Sequence, residues 1–166
     1  MNNPINIISC HLDTPCGRLY ISASQLGICH VGWTPLTNSC DGKSPLLEEA
    51  YRQLDEYFKG QRKSFDIPLD LHGTAFQLRC WKALASIPYA TTINYAQQAE
   101  IIGLPKATRA VGQANNRNPI AIILPCHRVI GKNGKLTGYN GGTDIKRQLL
   151  ELEQRHRKEL KDEMVN

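Results

Sequence analysis

The fold of the C-terminal half is decided by residues 93–116, INYAQQAEIIGLPKATRAVGQANN. The pattern predicts a helix over about 94–101, a glycine-bearing turn at Gly103 to Pro105 and a second helix over about 106–115. Two short helices joined by such a turn are typical of a helix-turn-helix, whose second helix meets DNA. Many helical hairpins bind nothing, so this pattern alone leaves DNA binding open.

The second of these helices carries almost no bulky side chains. Arg109 projects from among small residues, which are Ala107, Ala110, Gly112 and Ala114. A reader of the major groove normally displays Asn or Gln toward the base edges. A helix this bare can approach the narrower minor groove closely, and Arg109 can then enter between bases.

Charge is distributed unevenly along the chain, whose formal net charge is +5. Residues 1–72 contain six Lys and Arg against eight Asp and Glu, whereas residues 73–166 contain fourteen against seven. A basic half suggests a polyanionic partner such as nucleic acid, because neutralising phosphates releases counterions. Taken alone, the charge is explained as well by a solvated basic face.

The candidate reactive group lies in residues 120–131, IAIILPCHRVIG. Its apolar start predicts either a buried strand or another segment that enters the core, and Pro125 fixes the backbone just before Cys126. His127 and Arg128 follow, and positive neighbours lower the pKa of a cysteine from about 8.5 toward the reactive thiolate. Most unpaired cysteines are small buried hydrophobes, so these residues leave reactivity open.

Residues 1–72 predict a small antiparallel sheet with one helix. Three strands joined by short turns are expected, at Ile5 to Leu12, Arg18 to Ala23 and Gly27 to Trp33. Composition predicts a loop over residues 37–45, and Ser44 then caps an amphipathic helix over Leu46 to Phe58. Phe65 to Leu71 is expected to be extended.

Six cysteines lie at irregular spacings without CxxC pairs. The first residues lack the pattern of a signal peptide, so reduced thiols are favoured over a disulfide framework. A weak hint of zinc comes from Cys10, His11, Cys16, Cys29 and His30, but zinc sites usually show tight paired spacings. No run approaches the roughly 20 apolar residues that span a bilayer.

Downstream of the cysteine, residues 131–144, GKNGKLTGYNGGTD, predict a loop. Its length is more typical of a pocket wall than of a spacer. A final helix is expected from Thr143 or Asp144 through Leu152, with Glu153 on a neighbouring face. The charged tail after it is either a solvated helical end or disordered.

Together these segments resemble the O6-alkylguanine-DNA alkyltransferases, or methylated-DNA–protein-cysteine methyltransferases. The resemblance rests on NPIAIIL at 118–124, PCHRV at 125–129 and TGYNGG at 137–142, and it extends through INYAQQA, ATRAVGQANNRNP and KRQLLELE. It is close over residues 73–153 and looser before them. It implies an α+β protein of two domains, a ribonuclease-H-like antiparallel sheet with a helix at 1–72 and a mostly helical domain with a helix-turn-helix at 73–166.

The resemblance also implies roles for single residues. Cys126 accepts the alkyl group, His127 acts as a base through a water, Glu153 orients the imidazole and Asn118 braces the turn. The residues implied at the DNA or the base are Tyr95 beside the target phosphate and the purine, Arg109 in the gap left by the extruded base, the small residues Ala107, Ala110 and Gly112 of the same helix, and Tyr139 and Asn140 in the guanine pocket. Arg128 has no implied part in the chemistry and is interpreted as a structural or polar-network residue.

The implied function is direct reversal of DNA damage. An alkyl group on guanine O6 lies inside the stack, so the nucleotide must be flipped out before a thiolate can reach it. Cys126 then forms a thioether that nothing in the sequence resolves, which predicts one turnover per molecule. O4-alkylthymine is a further candidate substrate.

Two other classes of protein remain open. A non-catalytic DNA-binding module would leave Cys126 unmodified after exposure to the damaged base, and a cysteine hydrolase would turn over an ester or a peptide. The expected partner is double-stranded DNA containing O6-alkylguanine, with no cofactor, no metal and no membrane. We expect a cytoplasmic monomer, associated with the nucleoid in a bacterium or an archaeon.

Overall fold

The structure of the protein is a computed structural model that describes residues 6–165. These residues form two compact units, one comprising residues 6–72 with Pro119–Ala121 and the other comprising residues 73–118 with residues 122–165. The stretch Pro119–Ala121 departs from the expected division, which places it in the second domain. It joins the first unit because the Val31 amide donates to the Pro119 carbonyl at 2.9 Å and the Ala121 amide donates to the Val31 carbonyl at 2.8 Å.

The first unit is built on a four-stranded sheet. Its strands are β1 (Ile8–Thr14), β2 (Gly17–Ala23), β3 (Ile28–Gly32) and β4 (Cys40–Asp41), in the order β3-β2-β1-β4. The first three strands form the predicted antiparallel meander, and β4 runs parallel to β1. The predicted first strand starts at Ile5, which lies outside the described residues.

The two residues of β4 fall in the segment 37–45, for which composition predicts a loop. The strand forms because β1 offers an open edge. The Cys40 amide donates to the Ile7 carbonyl at 3.0 Å, and the Gly42 amide donates to the Ser9 carbonyl at 3.3 Å. The loop prediction is wrong at these two positions, since composition is a local signal and strand pairing is not.

The sheet carries one helix, α1 (Pro45–Phe58), close to the predicted bounds. The Ser44 hydroxyl accepts a hydrogen bond from the Leu47 amide at 3.1 Å and satisfies one of the N–H groups that a helix start leaves open. One face of α1 is buried, comprising Leu47, Ala50, Gln53, Leu54, Tyr57 and Phe58. Because this face packs on β1 and β2, the helix and the sheet share one core.

The second unit is mainly helical. Its helices are α2 (Ala75–Leu84), α3 (Tyr95–Ile101), α4 (Thr108–Asn116) and α5 (Thr143–Val165), and its two short strands, β5 (Ile93–Asn94) and β6 (Val129–Ile130), are parallel. α3 and α4 form the predicted helix-turn-helix and pack against α2. Gly103 has a φ of 76° in the turn between them, a conformation that glycine adopts without strain.

Polar side chains set the geometry of the helix-turn-helix. A capping box starts α3, because the Asn94 side chain accepts from the Gln97 amide and the Gln97 side chain accepts from the Asn94 amide, each at 2.8 Å. Within the core, Gln98 Nε2 donates to Asn115 Oδ1 at 3.0 Å, and Asn115 Nδ2 donates to Gln98 Oε1 at 2.7 Å. A buried amide without partners is costly, so this reciprocal pair holds α3 and α4 in one register.

The last helix, α5, runs far beyond the predicted Leu152 and remains helical to Val165. Of the two expectations for the tail, the helical one is therefore confirmed. The buried face of α5 combines Leu149 and Leu152 with two charged residues, Lys146 and Glu153. Within residues 6–165, no helix is both long and apolar enough to cross a membrane.

Candidate active site

The turn before the cysteine is buried and strained. Residues 121–123 form a turn in which Ile122 has a φ of 72°, a costly conformation for a β-branched residue. The Asn118 side chain secures it, because Nδ2 donates to the Leu124 carbonyl at 2.8 Å. Apart from one bridge at Ile120 the run is not extended, so the predicted strand is wrong and the core-entering segment is confirmed.

Cys126 opens a short 3₁₀ turn, Cys126–Arg128, and only 6% of it is exposed. Burial raises the pKa of its thiol, and a hydrogen bond from Asn118, the charge of Lys146 and nearby backbone amides offset only part of that effect. The sulfur is therefore a protonated thiol at rest. A group that removes its proton is required before it can act as a nucleophile.

His127 is fully buried beside that thiol in sequence, and its Nε2 is hydrogen-bonded to Glu153 Oε2. Burial lowers the pKa of His127, although Glu153 acts in the opposite direction, so the ring is neutral. A neutral imidazole that donates from Nε2 to a carboxylate keeps its lone pair on Nδ1. His127 Nδ1 has no hydrogen-bond partner among the described residues, which leaves it able to accept a proton.

Glu153 is also fully buried and is held by several donors. Its Oε1 accepts from the Ala90 amide at 3.0 Å and from Arg128 Nε at 2.8 Å. Burial acts to raise the pKa of Glu153, but His127 and Arg128 outweigh it and lower the pKa to about 2. The carboxylate is therefore ionised. The interpretation of Arg128 as a polar-network residue is confirmed.

The small residues of α4 leave one side of this helix bare, and a cavity of about 450 Å³ lies beside it. The cavity is lined by Tyr95, Thr108, Arg109, Gly112, Asn116, Thr137 and Gly138. A Cβ added at Gly112 would stand 3.7 Å from the Tyr95 ring, an ordinary contact, so alanine would also fit at this position. Arg109 and Ala110 are exposed, and Ala107 precedes the helix without a side-chain cap.

Two predicted pocket residues lie on the loop between β6 and α5. Asn140 is exposed, and the Tyr139 carbonyl accepts from the Gly142 amide at 2.9 Å. From this loop the cavity is lined by Thr137 and Gly138, not by Tyr139 or Asn140. Their contact with a flipped base stays a prediction.

Two family models match the chain. They are the ribonuclease-like domain of 6-O-methylguanine DNA methyltransferase, over residues 8–71, and the DNA binding domain of the same enzyme, over residues 75–155. A methylated-DNA–protein-cysteine methyltransferase of Methanosarcina acetivorans is 49% identical over 147 residues, which are 85% of this chain and 94% of the relative. The constitutive enzyme of Bacillus subtilis is 47% identical over 151 residues, 85% of this chain and 92% of the relative.

The chain belongs to the methylated-DNA–protein-cysteine methyltransferase family. Solved structures agree with this assignment. The O6-methylguanine methyltransferase of Mycobacterium tuberculosis matches with a TM-score of 0.82 and 44% identity, covering 90% of this chain and 94% of that chain. The M. tuberculosis protein in complex with DNA matches with a TM-score of 0.78 and 44% identity, covering 92% and 94%.

In this member of the family, the structure adds Lys146, which the sequence analysis missed. The lysine is almost completely buried, and its Nζ donates to the Thr137 carbonyl at 3.0 Å and to Tyr95 Oη at 3.5 Å. Burial lowers the pKa of Lys146 to about 8, although Cys126 acts to raise it. The sequence contains a signal for the burial of Lys146, because this residue lies three positions before Leu149 and seven before Glu153, on the same face of a helix.

The residues of the weak zinc hint in the first unit have other surroundings in the structure. Among residues 6–165, no three His, Cys, Asp or Glu side chains come together in a way that could hold a metal ion. The weak hint of zinc in the first unit therefore gains no support. His30, one of its members, is hydrogen-bonded through Nε2 to the Thr34 carbonyl at 2.9 Å.

Proposed function

We propose that the protein repairs double-stranded DNA by moving the alkyl group of O6-alkylguanine onto its own Cys126, once per molecule. The supporting observation is a buried thiol followed by a neutral histidine that is hydrogen-bonded to an ionised Glu153. The names of the relatives, methylated-DNA–protein-cysteine methyltransferases, support the same reaction. O4-alkylthymine is a second candidate for the damaged base.

DNA is bound through the bare side of α4. The helix enters the minor groove, and Arg109 takes the place of the nucleotide that swings out of the stack. Unstacking costs a few kcal/mol and is cheapest at a damaged pair, which favours alkylated sites. The cavity beside Tyr95 is the site in which we place the flipped base.

The chemistry is a single displacement. His127 Nδ1 takes the thiol proton, through a water as the family resemblance implies, and the sulfur attacks the alkyl carbon. A carbon–sulfur bond forms while the bond from that carbon to O6 breaks, and O6 keeps the electron pair. The guanine becomes neutral again by taking up one proton. Glu153 stabilises the imidazolium that forms, as the third member of a catalytic triad does.

Tyr95 and the buried Lys146 form a pair beside the proposed site of the base. Tyr95 lines the cavity, and Lys146 Nζ lies 3.5 Å from its hydroxyl oxygen. A phenol supported by a buried cation is a good hydrogen-bond donor to a ring nitrogen on which negative charge develops. Tyr95 therefore stabilises the leaving guanine directly, and Lys146 acts through Tyr95.

A transfer assay tests the central assignment. Duplex DNA carrying O6-methylguanine with a labelled methyl group is incubated with the wild type, with Cys126→Ser and with Cys80→Ser, which alters a second buried cysteine of the same unit. We expect one label per molecule, mapped to the peptide that contains Cys126, in the wild type and in Cys80→Ser. Label retained by Cys126→Ser, or turnover beyond protein equivalents, would overturn the assignment.

We also propose that the protein acts as a monomer in the cytoplasm. The irregular spacing of the six cysteines, without CxxC pairs, favours reduced thiols, which a reducing compartment maintains. Sedimentation of the free protein and of its complex with a short duplex tests the monomer, and cell fractionation tests the location. A dimer that persists at nanomolar concentration would contradict the first statement.

A further inference from the structure

The two oxygens of Glu153 have different partners. Oε2 is hydrogen-bonded to His127 Nε2, whereas Oε1 accepts from the Ala90 amide at 3.0 Å and from Arg128 Nε at 2.8 Å. A carboxylate that was free to rotate could exchange these positions. Two donors from separate parts of the chain on Oε1 prevent that exchange.

The guanidinium group of Arg128 has other partners besides Glu153. Its Nη1 donates to the Ile87 carbonyl at 2.8 Å, and its guanidinium carbon lies 5.5 Å from the centre of the Tyr89 ring. The side chain is 6% exposed. The planar fork of arginine can bond Glu153 and Ile87 at once, which the single ammonium of a lysine cannot do in the same geometry.

The position of Glu153 decides where His127 carries its proton. An ionised carboxylate at Nε2 requires a hydrogen there and leaves the lone pair on Nδ1. If Glu153 turned away or became neutral, the ring could hold its hydrogen on Nδ1 and lose the atom that accepts the thiol proton. Arg128 opposes both changes, because its hydrogen bond holds the carboxylate in place and its positive charge keeps Glu153 ionised.

We propose that Arg128 is a positioning residue that selects the Nε2–H tautomer of His127 and thereby makes Nδ1 the atom that receives the proton of Cys126. Its use in catalysis rests on the proposed alkyl transfer, but the tautomer itself does not. Arg128 touches neither the sulfur nor the base in this scheme. It acts through Glu153, in the way that outer partners orient a catalytic histidine.

The charged groups that act on His127 determine the pH response. They are Glu153 and Lys146 from α5 and Arg128 from the same 3₁₀ turn; Glu153 raises the pKa of His127, and the two cations lower it. Removing the charge of Arg128 therefore makes His127 easier to protonate. The acid limb of the transfer rate moves to higher pH, and a conservative Lys at this position limits the movement.

Three variants separate positioning from a structural role. Arg128→Gln removes the charge and the fork, Arg128→Lys keeps the charge alone, and Arg147→Gln is a matched control on an exposed arginine of α5. Long-range ¹H–¹⁵N spectra of the ring nitrogens report the tautomer of His127 in the free protein. Single-turnover transfer from duplex O6-methylguanine, measured against pH, reports its consequence.

We expect the wild type and Arg147→Gln to show the Nε2–H tautomer and the same pH profile. Arg128→Gln should populate the Nδ1–H form or the imidazolium, lose roughly tenfold or more in rate and shift its acid limb upward, with Arg128→Lys between the two. Wild-type spectra and an unshifted limb in Arg128→Gln would overturn the proposal, even if the variant were slower or less stable.

The remaining outcomes are also informative. If Arg128→Gln does not fold, Arg128→Lys decides, because a changed tautomer balance there supports positioning and an unchanged one contradicts it. Failure of the proposed alkyl transfer would appear differently, as a wild type that shows the Nε2–H tautomer but takes up no label.

Discussion

Replacing Glu153 by glutamine removes one charge from the buried network and keeps the size of the side chain. The pKa of Glu153 lies at about 2, against an ordinary value of 4.5, so the folded protein favours the carboxylate by about 3 kcal/mol at neutral pH. The change also leaves the buried guanidinium of Arg128 without its counter-ion, and breaking such a pair costs about 3–5 kcal/mol. The first figure includes His127 as well as Arg128, and the two figures are of similar size.

We therefore expect Glu153→Gln to lower the free energy of unfolding by about 3–5 kcal/mol, which for a chain of this size lowers Tm by about 6–20 °C. The transfer rate should fall on the order of 10²- to 10⁴-fold, since an amide does not enforce the Nε2–H tautomer of His127. Thermal unfolding followed by circular dichroism and single-turnover transfer of labelled methyl measure the two effects.

Glu151→Gln is the matched control, because Glu151 lies on the same helix with 68% of its side chain exposed. Its substitution should change stability by about 0.5 kcal/mol or less and leave the rate unchanged. A Glu153→Gln protein within about 1 kcal/mol of the wild type and within about tenfold of its rate would refute the reasoning, because the carboxylate would then neither anchor Arg128 nor orient His127.

Three further changes have calculable consequences. Because the pKa of Glu153 is lowered from 4.5 to about 2, the wild type should lose about 3 kcal/mol of stability relative to Glu153→Gln as pH falls through this range, a difference that acid titration of unfolding would reveal. The pKa of Lys146 is lowered from 10.5 to about 8, so from pH 8 to 10.5 the unfolding free energy of the wild type should rise by about 3 kcal/mol relative to Lys146→Met; parallel curves would contradict the burial of its charge. Asn118→Ala removes the donor to the buried Leu124 carbonyl and should lower the free energy of unfolding in urea by about 1–3 kcal/mol. The same change should slow the modification of Cys126 by a thiol reagent, because the hydrogen bond from Asn118 lowers the pKa of that thiol.

Local signals predicted the helix-turn-helix well. Asn94 caps α3 through its own side chain, and Gly103 adopts positive φ in the turn after α3, so both ends of α3 are set by residues close to it. The same holds for α1, whose start follows from Ser44. Elements of this kind are predictable because their determinants lie within a few residues of one another.

Pairings between distant residues were not predictable in this way. β4 forms against the open edge of β1, and Ile120 bridges to Val31 although nearly ninety positions separate them. A run such as residues 120–124 has the composition of a strand, and only its surroundings make it a turn with positive φ at Ile122. Such contacts depend on which surfaces the folded chain brings together.

The helix-turn-helix, the bare face of α4 with Arg109 and the reactive segment around Cys126 were all predictable from the sequence, as was the family through resemblance. The charge and tautomer of the groups that do the chemistry depend instead on the folded protein. In the fold, Lys146 is buried beside Tyr95 and Thr137, and Glu153 is hydrogen-bonded to both Arg128 and His127. The physical reason is that a pKa and a tautomer depend on burial and on partners that lie far away in the chain.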